Sequence, residues 1–334
     1  MGIICNVGEL EKAVGSRMLP VMMKSIDRLD EHCEHLLSLS PAMVLGYLDG
    51  DGRPRAEVLG GAVGFAVPES PTSLPLPLPA DAAPGTGAAL LVLIPGWRET
   101  LRINGTVRAG GLTVTEAFLH CGKAVLRSNL WSPATPSAAD TAEEGLGAAA
   151  TAFLAAAPFT VITSRDGADN ADASPKGDPP GVIRPIGPTT VAIAERPGNR
   201  RTDTFHNVLE HPEVAVVALC PGDDRTLELS GTASLSTDPE LLESMAERGK
   251  APKAVLLLEV VHSRLAVSAA IRDSRLWDTD RHADPAQLPR ASKVWADHMK
   301  LNETTGFAAK LIRGMSNERL LRAGVEMDYK QNLY

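Results

Sequence analysis

Residues 40–64, SPAMVLGYLDGDGRPRAEVLGGAVG, align without a gap on residues 157–181, APFTVITSRDGADNADASPKGDPPG. Pro41 meets Pro158, Asp49-Gly50 meets Asp166-Gly167, and Gly64 meets Gly181. Two more blocks repeat in the same order. IPGWRETLRINGT at 94–106 falls on CPGDDRTLELSGT at 220–232, and HCGKAVLRSNLW at 120–131 falls on AVSAAIRDSRLW at 266–277. Three ordered matches make the chain read as two related units. Its 334 residues agree, being more than a single hydrophobic core usually holds.

Each block reads mainly as strand. AMVLGYL and FTVITS are short apolar, β-branched runs closed by Asp-Gly turns, and ALLVLIPG, VAVVALCPG and AVLLLEVV continue the pattern. Short strands at such close spacing predict a barrel or sandwich rather than a doubly wound sheet. Helices are expected at 20–39, 203–211 and 238–249, the last opened by an Asp238 cap and Pro239 in the first turn. The proline-rich stretch 68–87 reads as an extended loop. Residues 132–150, rich in Ala, Pro, Ser and Gly, read as a linker whose Ala-rich end begins a helix toward Phe153. The expected organisation is an N-terminal half with a leading helix over 1–131, the linker 132–150, a C-terminal half over 151–280 and a helical tail over 281–334.

With 33 Lys and Arg against 41 Asp and Glu, the net charge is −8. A polymer of phosphates is therefore an unfavourable partner, since binding one needs an excess of cations. Locally basic stretches such as Arg196 to Arg201 suit one small anionic ligand instead. The N-terminus lacks a basic region followed by an apolar run, and no span reads as a transmembrane helix, so the cytoplasm is the expected compartment and no membrane partner is expected. Cys5, Cys33, Cys121 and Cys220 stand far apart without a CxxC pair, which predicts neither a disulfide framework nor a metal site.

The second half contains DASPKGDPPG (172–181), AERPGNRRTDTFHNVLEHPEV (194–214) and DPELLESMAERGKAPK (238–253), and the first contains ETLRINGTV (99–107) and AFLHCGKAVLRSNLW (117–131). Together these resemble the pyridoxamine 5'-phosphate oxidase-like, FMN-binding split-barrel family, specifically its subgroup with an SPRGD-type turn followed by an RPGN-R segment. Lys176 stands where that turn usually has Arg. The resemblance implies a mainly β fold with flanking helices, in which two six-stranded, Greek-key split β-barrels form a pseudo-dimer within one chain. It also implies an oxidoreductase that passes electrons between FMN and a small organic substrate. The same fold hosts deazaflavin-dependent reductases and haem-binding proteins, and a non-catalytic cofactor-binding or sensing protein is the alternative from another class.

The halves have lost complementary residues. Opposite Ser174, Lys176 and Asp178 stand Glu57, Leu59 and Gly61, and the proline-rich loop replaces RPGNRR. Opposite His120, Cys121, Lys123 and Arg127 stand Ala266, Val267, Ala269 and Asp273. Family members are homodimers with flavins at the subunit interface, so the resemblance implies one surviving composite site in a chain that needs no further partner and is monomeric. A phosphate dianion calls for planar cations and close backbone N–H groups. The cofactor-binding candidates are therefore Ser174, Lys176, Arg196, Asn199, Arg200 and Arg201, with Gly198 allowing close approach or a positive φ. His120, Lys123 and Arg127, at i, i+3 and i+7, would share one helical face and are the catalytic candidates. Cys121, adjacent to His120, would not face it, so a nucleophilic cysteine is not expected.

Overall fold

The computed structural model describes residues 2–134, 137 and 139–334; residues 135, 136 and 138 of the expected linker lie outside it. The strands are β1 (Ala42–Leu48), β2 (Pro54–Gly60), β3 (Ser73–Pro75), β4 (Gly87–Leu93), β5 (Thr100–Arg108), β6 (Gly111–His120), β7 (Glu143–Glu144), β8 (Phe159–Arg165), β9 (Ala171–Gly177), β10 (Ile183–Pro185), β11 (Thr190–Ala194), β12 (Glu213–Leu219), β13 (Arg225–Ser236) and β14 (Val255–Val267). The helices are α1 (Val7–Val14), α2 (Leu19–Met22), α3 (Glu31–Leu39), α4 (Lys123–Ser128), α5 (Ala148–Ala156), α6 (Asp203–Glu210), α7 (Pro239–Ser244), α8 (Ala269–Ser274), α9 (Ala291–Leu301), α10 (Phe307–Met315) and α11 (Glu318–Gln331). The protein is mainly β, with two antiparallel sheets and flanking helices.

The first sheet runs β2-β1-β4-β5-β6-β3, and the second runs β9-β8-β12-β13-β14-β11-β10 with β7 on β14. Apart from β10 and β7, the two orders correspond strand for strand. In the first sheet, residues from all six strands meet in one core, including Met43, Leu59, Leu74, Leu90, Ile103 and Leu119, so the sheet curls around it. The short β3 lies inside the stretch 68–87 that reads as loop, because Ser73 to Pro75 pair with the β6 edge. Likewise the helix expected over 20–39 is broken, with α3 starting only where the Asp30 side chain caps the Cys33 N–H at 2.9 Å.

β1 is buried along its whole length and β12 at every residue after Glu213, which an alternating strand of a one-faced sheet would not be. In β1, Met43, Leu45 and Tyr47 fill the first core. Ala42 and Val44 face the other way, into a third cluster shared by both sheets. In β12, Val214, Val216 and Ala218 face the second core, while Ala215, Val217 and Leu219 join the shared cluster.

Positions matched by the internal alignment occupy this shared layer in pairs: Ala42 with Phe159, Val44 with Val161, Val125 with Ile271, and Leu130 with Leu276, joined by Leu91 and Val217, each three residues ahead of the second block. Trp131 and Trp277, also matched, pack ring against ring with centroids 6.1 Å apart. Their indole N–H groups donate to matched carbonyls, Trp97 at 2.6 Å and Asp223 at 2.9 Å.

Two glycines set how closely the halves approach. A Cβ on Gly177 would lie 2.0 Å from the Ala124 carbonyl oxygen, and one on the matched Gly60 would lie 2.5 Å from that of Ala270. A polar contact is matched too, with its sign reversed. Arg102 of β5 meets Asp172 of β9 at 2.7 Å, whereas the matched Glu228 of β13 meets Arg55 of β2 at 3.4 Å. Near that second pair, burial and then the Glu228 charge push the Glu57 carboxyl up to about 7.

The chain ends cross over. Ile4 donates its N–H to Leu235 at 2.9 Å, and Leu10 and Val14 of α1 enter the second core. At the other end, Val294 and Trp295 of α9 enter the first core, with Leu321 and Val325 of α11 packed on it. No helix among the described residues is long and apolar enough to cross a membrane.

Two outcomes follow from this interface. Gly177→Ala forces a methyl against a backbone carbonyl and is expected to cost about 2–4 kcal/mol in urea unfolding. An unchanged midpoint would show that the two halves are not held at this distance. Glu57→Gln removes a carboxyl whose folded-state value lies above its unfolded one. The wild type therefore loses stability as pH rises from about 4.5 through about 7. The variant should melt higher at pH 8, by about 1–2 kcal/mol after solvent screening, and the gap should close by pH 5.

Candidate functional site

At the edge of the shared layer, the end of β6 and α4 from the first half face the β9 turn and the loop from β11 to α6 of the second. The cleft between them is lined by His120, Lys123 and Arg127 from one side and by Ser174, Lys176, Arg196, Asn199, Arg200 and Arg201 from the other. All nine candidate catalytic and cofactor-binding residues thus line one cavity. Its charged lining is six basic and two acidic side chains, in a chain that is acidic as a whole.

His120 does not share a helix with Lys123 and Arg127, because β6 continues through it and α4 begins at Lys123 after the Gly122 break. The pleat, not a helical repeat, aims its ring. The Asn199 side-chain oxygen accepts from the Arg201 backbone N–H at 3.1 Å, which orients the amide. Its NH2 group then donates to His120 Nδ1 at 3.2 Å and fixes the imidazole with its proton on Nε2. That Nε2 is buried without a hydrogen-bond partner. Burial, followed by the charges of Arg102 and Arg201, holds His120 well below the usual histidine range. It is a neutral donor with one unspent N–H. Burial also pushes the neighbouring Cys121 thiol up, so no thiolate is favoured there.

The loop geometry differs from the sequence expectation at Gly198. The left-handed backbone falls instead on Arg200 at φ 60° and Thr202 at φ 54°. Left-handed residues other than glycine are strained and are kept where the surroundings impose them. Here the turn swings α6 so that its N-terminal residues, Asp203, Thr204 and Phe205, line the cleft. The N–H groups of a first turn have no intrahelical acceptors and favour an anion.

The basic residues divide by what they already hold. Arg196 is buried and fully engaged, donating to Asp178 at 2.6 Å and to the Met245 carbonyl at 2.8 Å. Its geometry shapes the loop rather than reaching into the cleft. Arg127 donates to the Gly177 carbonyl at 2.9 Å and the Pro197 carbonyl at 3.0 Å, so it bridges the two halves. Lys176 pairs with Glu195, and its ammonium lies 5.0 Å from the Phe205 ring centre. Arg200 is exposed, and its one side-chain hydrogen bond among the described residues is to the Met18 sulfur, at 3.7 Å. Arg201 pairs with Asp203 at 2.7 Å and Glu116 at 2.9 Å, while its Nη1 is buried and unpartnered.

Beneath the cleft lies a layer that the sequence reading missed. Arg102 is fully buried and contacts Asp203 at 2.6 Å as well as Asp172. Both its guanidinium and that of Arg201 pack on the Phe118 ring, at 4.3 and 3.8 Å from the centroid. The Arg102 and Arg201 charges hold Asp203 well below the carboxylate range against its burial. The available signal was a lone arginine inside the apolar run TLRIN, since a buried cation must be paired.

The C-terminal segment covers the cleft. Asp328 of α11 pairs with Lys123 at 2.8 Å, the Tyr329 hydroxyl accepts from the Gly122 N–H at 2.6 Å, and the Leu333 carbonyl accepts from Arg127 at 2.8 Å. The cavity is about 60 Å³, against several hundred for a typical small-molecule site. Recesses of about 220 and 200 Å³ adjoin it, both lined by Asp328 and by Gly198 and Arg200.

A sequence profile of the family described as pyridoxamine 5'-phosphate oxidase matches residues 146–266. No curated protein matches the chain significantly. Among solved structures, HupZ from Group A Streptococcus is 17% identical, covering 34% of this chain and 89% of its own, with a TM-score of 0.29. A putative pyridoxamine 5'-phosphate oxidase from Lactobacillus delbrueckii is 18% identical, covering 35% and 92%, with a TM-score of 0.28. An F420 reductase is 13% identical, covering 34% and 93%, with a TM-score of 0.26. Over residues 146–266 the chain is thus similar to the pyridoxamine 5'-phosphate oxidase family.

Proposed function

We propose that the two halves are split barrels paired as an intramolecular pseudo-dimer, with one composite site for a flavin of the FMN type, and that the protein is an oxidoreductase acting on a small organic substrate. In this reading the barrels take residues to 131 and from 151 to 280, the segment 132–150 links them, and 281–334 forms the covering tail. The protein acts as a monomer, in the cytoplasm. The observation that carries the reading is the convergence of both motif sets on one cavity, with His120 Nε2 and Arg201 Nη1 buried and unspent beside it. At the matched positions of the other interface, Glu57, Leu59, Ala266, Ala269 and Asp273 offer no comparable set of cations.

The donor set suits a flavin phosphate. Arg200 is free of any carboxylate partner among the described residues, Lys176 stands at the entrance to the α6 N-terminus, and that terminus adds its own N–H groups. His120, neutral and protonated at Nε2, is placed to donate to a ring carbonyl, and a donor there favours the reduced ring. When bound, FMN supplies hydride and single-electron transfer. The cavity as closed is too small for the ring system, so binding requires α11 to move. Its contacts suit that role, because no residue of α11 is fully buried.

Titration of the intact protein with FMN, followed by absorbance and fluorescence, is expected to give one site per chain. Arg200→Ala or Arg201→Leu should raise the dissociation constant about ten- to a hundredfold, as loss of a charge-assisted hydrogen bond of about 1.5–3 kcal/mol requires. Arg196→Ala should act mainly on stability. Two equivalent sites, or purification with a deazaflavin or Soret band in place of a flavin spectrum, would overturn the assignment.

Ending the chain after residue 317 removes the cover. The shortened protein is expected to bind FMN faster and at least about tenfold more tightly, because the contacts of Lys123 and Arg127 with the tail no longer compete. Unchanged association kinetics would show that the tail does not gate the site.

A further inference from the structure

The buried face between α3 and α9, outside the lining of the cleft, brings together Asp30, Cys33 and His298. One ligand atom from each, the Asp30 carboxylate oxygen, Cys33 Sγ and a His298 ring nitrogen, lies within 4.8 Å of the others. Cys33 and His298 are fully buried, and the Asp30 side chain is 13% exposed. The roles of the atoms are fixed by their neighbours. Asp30 Oδ1 accepts the α3 capping hydrogen bond from the Cys33 N–H, and Oδ2 faces His298 Nε2. His298 Nδ1 faces the Lys24 carbonyl at 3.2 Å, and a carbonyl only accepts, so Nδ1 carries the proton.

That sets His298 Nε2 at 3.3 Å from Asp30 Oδ2, an ion-pair contact outside hydrogen-bond geometry that leaves this buried nitrogen without a hydrogen bond among the described residues. An ion pair would account for Asp30 and His298 but gives the thiol beside them no part. A cation satisfies all three. Tetrahedral Zn–N and Zn–S bonds of about 2.0 and 2.3 Å place ligand atoms about 3.3–3.6 Å apart, a spacing reached from here by small side-chain rotations. The Nδ1–H to carbonyl bond is the outer contact that orients a metal-ligating histidine.

We infer that Asp30, Cys33 and His298 form a binding site for one zinc-class divalent transition metal ion, which staples α9 to the start of α3. Mixed sulfur, nitrogen and oxygen ligands select Zn²⁺ over Mg²⁺ or Ca²⁺. Binding deprotonates the Cys33 thiol, the proton passing to solvent. Water, admitted beside Asp30, completes the fourth position. The staple holds the root of the segment whose last helix covers the cleft, yet the site shares no residue with it.

The full-length protein, stripped with a chelator, is titrated with Zn²⁺ and separately with Co²⁺. One Zn²⁺ per chain at submicromolar affinity is expected, with a near-ultraviolet thiolate-to-cobalt band and tetrahedral visible bands in the Co²⁺ form. These spectra need no variant. Cys33→Ser should abolish the thiolate band, and His298→Gln should weaken Zn²⁺ on the order of a hundredfold. The Cys5→Ser, Cys220→Ser double variant should keep both. Absence of bound metal, a Co²⁺ spectrum without thiolate character, or a thiolate band that survives Cys33→Ser would overturn the site.

Discussion

Both faces of the central strands must be kept from water, and a single curled sheet covers only one of them. Met43, Leu45 and Leu90 are covered by the first sheet's own curl, but Val44, Leu91 and Ala42 are not. The second sheet presents the matched surface, Val161, Val217 and Phe159, and the two close on each other. Fully burying each such aliphatic side chain contributes about 1.5–3 kcal/mol, so the pairing of the sheets is integral to folding. Every other feature depends on this apolar layer. Gly60 and Gly177 set its thickness, Trp131 and Trp277 seal its end, and the cleft lies at its rim.

Polar groups at that rim are then forced into pairs, because the layer excludes water from beside them. The same geometry has been filled with opposite signs on the two sides. On one, Arg102 answers Asp172 and Asp203, and the surplus cations lie above them. On the other, Glu228 answers Arg55, and Glu57 stands beside them with its carboxyl pushed up. Under the proposed function, a dianion would meet surplus cations on the first side only. Since a buried cation costs several kcal/mol unless paired, Arg102 also supports the cleft from below, fixing Asp203 and through it Arg201.

The crossing of the chain ends ties these parts together. The N-terminal segment contributes Leu10 and Val14 to the second core, and α9 contributes Trp295 to the first. Because α9 is embedded, α10 and α11 are delivered back across the outside of the molecule, and α11 arrives over Lys123 and Arg127. Its grip combines these polar contacts with the partly buried Leu321 and Val325 on the first core, whereas α9 is held by the fully buried Val294 and Trp295. Under the proposed function, a ligand for the same cations would compete with the polar part of that grip.

Local sequence carried much of this. The period-two runs, the Asp-Gly turns and the gap-free match of 40–64 on 157–181 determined two strand-rich units of the same order, and the charged blocks named residues that line one cavity. What local patterns decided wrongly was short and conditional. His120 stands in a strand because β5 pairs with it, β3 forms because β6 has an open edge, and the left-handed residue is Arg200 because the turn into α6 needs it there. Arg102, the contacts by which the helical tail covers the cleft, and the buried trio were not legible, for one physical reason. Each depends on groups far apart in the chain, such as Arg102 with Asp203, Lys123 with Asp328, and Cys33 with His298, and only tertiary packing sets those distances. Sequence determined which strands would form and which half kept which charges; the burial of both sheet faces decided where those charges met.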